Sequence, residues 1–126
     1  MKINIYPIYS PLHNETFLEN QTEDLIAYLG KGNKHQISLC KIDELYDADL
    51  SLILVESGGS EHYFKQVENK LKEPIYLLTF GNNNSLAASL EILTYIQNNN
   101  LQGEILHGSN QYIKERVLSL LENKNA

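Results

Sequence analysis

The chain has 126 residues, 42% hydrophobic and 21% charged, with a formal net charge of −6. This is the size of one domain able to bury a real core. Its ten Lys and Arg are spread along the chain without a basic cluster, which argues against a nucleic-acid surface built on counterion release. No apolar run is long enough to span a bilayer or to form a signal-peptide core. The single cysteine, Cys40, cannot close an internal disulfide or build a zinc knuckle, which fits a reducing, cytoplasmic setting.

In chain order, Ile3 to Ile8 reads as the first strand, with Pro7 expected at its end because proline cannot donate to a ladder. A loop of Tyr9, Ser10, Pro11, Leu12 and His13 follows. Asn14 can cap a helix from Glu15 to Leu29 that carries Leu18, Leu25 and Leu29 on one face, and Gly30 to Asn33 end it. His35 to Cys40 alternates apolar Ile37 and Leu39 with polar Gln36 and Ser38, the pattern of a half-covered edge strand. Lys41 to Leu50 leaves room for about one helical turn, over Asp43 to Tyr46, less than a usual crossover needs. Leu52 to Val55 is continuously apolar, as in a strand buried on both faces, so Ser51 to Val55 reads as the central strand.

Gly58 and Gly59 then turn the chain, and Ser60 can cap a helix with Phe64, Val67 and Leu71 at helical spacing, stopped by Pro74. Ile75 to Thr79 is the fourth strand, and Gly81 to Asn84 a turn. The following helix is expected to bury Leu86, Leu90, Leu93 and Ile96, and Asn98 to Asn100 end it. Glu104 to Leu106 is the fifth strand. Gly108 and Ser109 lead into a last helix with Ile113, Val117, Leu120 and Leu121 on one face, and a frayed tail is expected from Asn123 to Ala126.

Strands that alternate with helices make a parallel sheet. The expected fold is α/β, a three-layer doubly wound five-stranded parallel sheet of flavodoxin-like (Rossmann-like) type in the order 2-1-3-4-5, with its switch point between the first and third strands. Such a sheet gathers its strand-end loops at the carboxyl edge: Tyr9, Ser10 and His13; Glu56, Ser57, Gly58, Gly59, Ser60, Glu61 and His62; Gly81 to Ser85; His107 to Asn110. Ligands bind at that edge in open α/β sheets.

Each of these residues also has a plainer reading. Strand-to-helix loops need Gly, Ser and Asn for turns and caps, and capping outweighs ligand contact for Asn14, Ser60, Asn84 and Ser109. Gly58-Gly59 is neither GxGxxG nor a P-loop, so a tight turn accounts for it. Exposed loop imidazoles are the ordinary reading of His13, His62 and His107, and no close-spaced motif joins them to Glu56 or Glu61 as a metal site. Glu56, directly after a buried strand, is partly desolvated and needs a partner. Tyr6, Tyr9, Tyr63 and Tyr76 fit core or rim as well as stacking platforms. There is no GxSxG nucleophile, no acidic pair after the first strand as in a receiver domain, and no Ser/Thr-rich phosphate loop as in a flavodoxin. Arg116 is the sole arginine, which argues against bidentate phosphate recognition, although backbone amides could still hold an anion.

Three stretches, IYPIYSPLH, LVESGGSEH and LLTFGNNNSLAASLEILTYI, resemble the N-terminal domain of the L-fucose isomerase and L-arabinose isomerase superfamily, most of all its shorter fucose-isomerase-like members. The third stretch is the most specific, and the resemblance covers nearly the whole chain. It implies that residues 1–126 are a single Rossmann-like domain, the N-terminal part of a longer aldose–ketose isomerase in carbohydrate metabolism. It also implies that manganese is held by later domains and that loops of this domain lend substrate-recognition residues in an oligomer. Carried over by motif, those residues are Tyr9, Ser10, His13, Glu56, Ser57, Gly58, Gly59, Glu61 and His62, with neither arginine nor tryptophan among them. The expectation is a domain that binds a sugar or polyol with the remaining domains of its parent chain and a homo-oligomer as partners. It has no catalytic or metal-ligating residue of its own, and no nucleic acid or membrane as partner. The alternatives are a free-standing flavodoxin-like module for a small anionic or polyhydroxylated ligand, and an assembly domain whose carboxyl edge is a subunit interface.

Overall fold

A computed structural model of the chain describes residues 2–8, 15–32, 34–40, 47–55, 64, 74–79 and 83–125. The strands are β1 (Lys2–Ile8), β2 (Gln36–Leu39), β3 (Leu50–Val55), β4 (Ile75–Thr79) and β5 (Gly103–Leu106); the helices are α1 (Glu15–Gly30), α2 (Asn83–Asn98) and α3 (Asn110–Asn125). All four strand pairings are parallel, in the order β2-β1-β3-β4-β5. This is the doubly wound, flavodoxin-like α/β arrangement that the alternation of elements implies.

The pleat sorts the apolar residues into two cores, one on each face. On the first face Ile3, Ile5, Leu52, Leu54, Leu78 and Leu106 pack against Leu25 and Leu29 of α1 and Ile113, Val117 and Leu121 of α3. On the second, Tyr6, Ile8, Ile53, Val55, Ile75 and Leu77 pack against Phe64 and against Ala88, Ile92 and Ile96 of α2. β3 contributes to both, so Leu52 to Val55 are fully enclosed, as a central parallel strand requires.

Pro7 lies inside β1 rather than at its end, and the register shows why it is tolerated. Ile5 turns its carbonyl toward β2, where it accepts from the Cys40 N–H at 2.8 Å. Pro7, two residues on, faces the same side, but β2 has already ended at Leu39. The missing N–H therefore falls beyond the ladder.

Two helices differ from the periodicity reading. α2 begins at Asn83, so Asn84 lies inside its first turn and is not its cap. Its buried stripe runs Ala88, Ile92, Ile96, four residues apart, while Leu90 is 51% exposed. Ile96 is buried as expected and Leu93 packs against the core, whereas the position expected for Leu90 is taken by Ala88 and Ile92. α2 closes with Asn100 at φ 61°, its N–H bonded to the Gln97 carbonyl at 3.1 Å and the Leu101 N–H to Ile96 at 3.0 Å. This is the double bond of a left-handed helix cap. α3 continues to Asn125, past the expected start of fraying at Asn123. The expected turn over Asp43 to Tyr46, and all of the helix after β3 except Phe64, lie outside the described residues; Phe64 is helical and fully buried.

Candidate functional site

The strand ends form a row across the carboxyl edge of the sheet. Ile8 is the register partner of Val55, and Val55 of Thr79. Leu78 partners Leu106, so His107, the next residue, falls beside Thr79. At about 4.8 Å per strand, His107 starts roughly 10 Å from the end of β3.

The sheet changes winding direction between β1 and β3. α1, which follows β1, packs Leu25 and Leu29 on one face, while Phe64, which follows β3, packs on the other. Connections that leave two adjacent strands toward opposite faces open a crevice at their carboxyl ends. The nine residues carried over by resemblance, Tyr9, Ser10, His13, Glu56, Ser57, Gly58, Gly59, Glu61 and His62, lie outside the described residues. They follow directly on the two paired strand ends Ile8 and Val55.

At the other end of the row the site is described side chain by side chain. Thr79 is 1% exposed. Its Oγ1 lies 2.7 Å from Nδ1 of His107 and can donate to the Leu106 carbonyl at 3.5 Å. An exposed imidazole is thus held by a buried hydroxyl. Sequence reasoning named His107 but missed Thr79, since a threonine ending an apolar strand looks like any β-branched strand residue. Gly108, at φ 147°, carries the chain from His107 into α3; a Cβ there would meet the Tyr112 ring at 3.0 Å. Ser109 is the cap of α3, accepting the Tyr112 N–H on its Oγ at 3.1 Å and the Ile113 N–H on its carbonyl at 3.0 Å. Its expected capping role holds.

Arg116 and Lys114 make their described contacts from α3, beyond its first turn. Arg116 on α3 forms a forked pair with Glu104 of β5, with Nη2 at 2.8 and 3.0 Å and Nε at 3.2 Å from the carboxylate oxygens. The hydrogen bonds to Glu104 hold the guanidinium above its ordinary pKa. Tyr76, the register partner of Glu104, has its phenol pKa raised by burial first and by the Glu104 charge second. Lys114 donates to the Lys31 carbonyl and sits 5.4 Å from the Tyr28 ring centroid, tying α3 to the end of α1. The carboxyl-edge segments, residues 9–14, 56–62, 80–85 and 107–110, contain two glutamates and no Lys or Arg.

Among the described residues no three His, Cys, Asp or Glu gather to hold a metal ion, and no helix is long and apolar enough to cross a membrane. No protein-family model matches the chain, and no curated protein does.

Proposed function

We propose that this domain binds a small, neutral, polyhydroxylated ligand, a sugar or polyol, at the carboxyl edge of its sheet. In this reading it is the N-terminal substrate-recognition and assembly domain of a cytoplasmic, homo-oligomeric, fucose-isomerase-like aldose–ketose isomerase. The observation that carries the reading is the winding reversal at β1 and β3, with α1 on one face, Phe64 on the other, and Ile8 paired to Val55 between them. The charge pattern favours a neutral ligand over an anionic one. The sole arginine is engaged by Glu104, and the edge segments carry carboxylates that accept hydroxyl protons but would repel phosphate.

Aldose–ketose interconversion moves a proton with a base and usually a metal. In this reading manganese and the base belong to the remaining domains of the parent chain. This domain's share is binding and orientation. With only part of a site's walls, affinity should be weak, on the order of millimolar. Saturation-transfer NMR with L-fucose, L-arabinose and ribitol tests this: all three should give transfer that inorganic phosphate does not displace, with no ketose formed when manganese is added. Transfer from none of the polyols, displacement by phosphate, or turnover by the purified chain would overturn it.

A further inference from the structure

We propose that His107 is a ligand-contacting residue of the carboxyl edge and that Thr79 is its positioning residue, fixing the imidazole so that Nε2 accepts a hydrogen bond from a ligand hydroxyl. This rests on the polyol reading above and extends its site from the β1–β3 crevice toward β5.

The hydrogen bonds decide which nitrogen is free. Thr79 Oγ1 has one proton and two lone pairs, and it lies between two partners, His107 Nδ1 at 2.7 Å and the Leu106 carbonyl at 3.5 Å. A carbonyl can only accept, so we assign the Thr79 proton to Leu106, the arrangement that makes both contacts hydrogen bonds, with Oγ1 accepting from Nδ1–H. The neutral ring then carries its proton on Nδ1 and presents Nε2 as a lone pair, and among the described residues Nε2 has no hydrogen-bond partner.

The position suits a ligand in the crevice. Thr79 is the register neighbour of Val55, and its Oγ1 holds Nδ1 of His107 at 2.7 Å. The imidazole is thus tethered to the end of β4, and the ends of β4 and β3 are one strand spacing, roughly 5 Å, apart. A hexose or alditol is long enough to bridge that interval. Burial of Thr79 at 1% exposure keeps water from competing for its hydroxyl, so an otherwise exposed ring is restrained before any ligand arrives.

Long-range proton–nitrogen NMR of the intact chain at about pH 8, where an ordinary imidazole is neutral, reads the tautomer directly. The wild type and Thr79→Ser should show the proton on Nδ1, and Thr79→Val should show the mixed tautomers of a free imidazole. Titration with ribitol should shift the His107 ring resonances. His107→Phe and Thr79→Val should each weaken ribitol binding about three- to tenfold, the loss expected of one neutral hydrogen bond, while Thr79→Ser should stay within about twofold of wild type. A wild-type proton on Nε2 overturns the proposal. So does a His107 ring that ignores ribitol while backbone amides of residues 9–13 or 56–62 respond, an outcome that leaves the polyol reading standing. No response to ribitol at any resonance defeats the polyol reading itself and this assignment with it, whatever the tautomer.

Discussion

Replacing Phe64 with alanine removes the one described side chain that anchors the segment after β3 to the face opposite α1. The ring is fully buried among Tyr6, Ile53, Val55 and Leu77 on the sheet and Ala88, Ile92 and Ile96 on α2. It also meets Tyr95 edge-on, with centroids 6.4 Å apart and planes at 87°. Phe→Ala in a packed core costs about 3–5 kcal/mol, and about 0.5–1.5 kcal/mol of that can be specific to an edge-to-face pair. Each kcal/mol moves the midpoint of a domain this size by roughly 3–5 °C, so Phe64→Ala should lower Tm by roughly 9–25 °C. Against a typical total stability of about 5–15 kcal/mol, the variant should fold but melt early. Circular-dichroism melts and urea titrations give the loss, and a cycle of Phe64→Leu with Tyr95→Leu isolates the ring pair. A loss under about 1 kcal/mol for Phe64→Ala, or no coupling in the cycle, would refute the packing of this segment and with it the crevice at β1 and β3.

Two further outcomes follow from the same structure. Tyr76 has a phenol pKa raised above 10.0 by burial, then by Glu104; a raised folded-state pKa gives stability that is complete below the unfolded value and lost as pH rises through the folded one. Tyr76→Phe should therefore lose less stability than wild type between about pH 9 and pH 11, and equal urea midpoints for the two across that range would contradict this. Gly108→Ala should cost about 1–2 kcal/mol, because φ 147° is strained for a side chain and the Cβ meets the Tyr112 ring. A neutral result in urea titration would show that the turn into α3 adopts another conformation.

The strand order was legible because single strands carried distinct patterns. Uniformly apolar Leu52 to Val55 fits only a central position, and alternating Gln36 to Leu39 only an edge. The last helix was equally readable, since Ile113, Val117 and Leu121 have no competing stripe. α2 was misread at Leu90 because composition favours leucine, whereas close packing on a sheet favours the small Ala88. The carboxyl edge that carries the candidate site was legible as a location in the fold, without a constellation of residues to mark it. Topology alone brings the ends of β1 and β3 together, and no motif spacing marks Thr79 as the partner of His107, since they are 28 residues apart and meet only through the pairing of β4 with β5. Pro7 shows the same limit. Its place within β1 is set by where β2 stops, a fact of register and not of local sequence.

Amide shift mapping of the intact chain with ribitol and L-fucose tests the central claim that the carboxyl edge binds a polyol. The row Ile8, Val55, Thr79 and His107 should move with saturable, weak affinity, together with residues 9–13 and 56–62. The opposite edge should stay still, including Lys2 and Asp49, where the Lys2 N–H donates to Asp49 Oδ2 at 2.7 Å, and Ile75, whose N–H donates to the Gln102 carbonyl at 2.9 Å. Shifts confined to Lys2, Asp49, Ile75 and Gly103 would place binding at the amino edge and contradict the account.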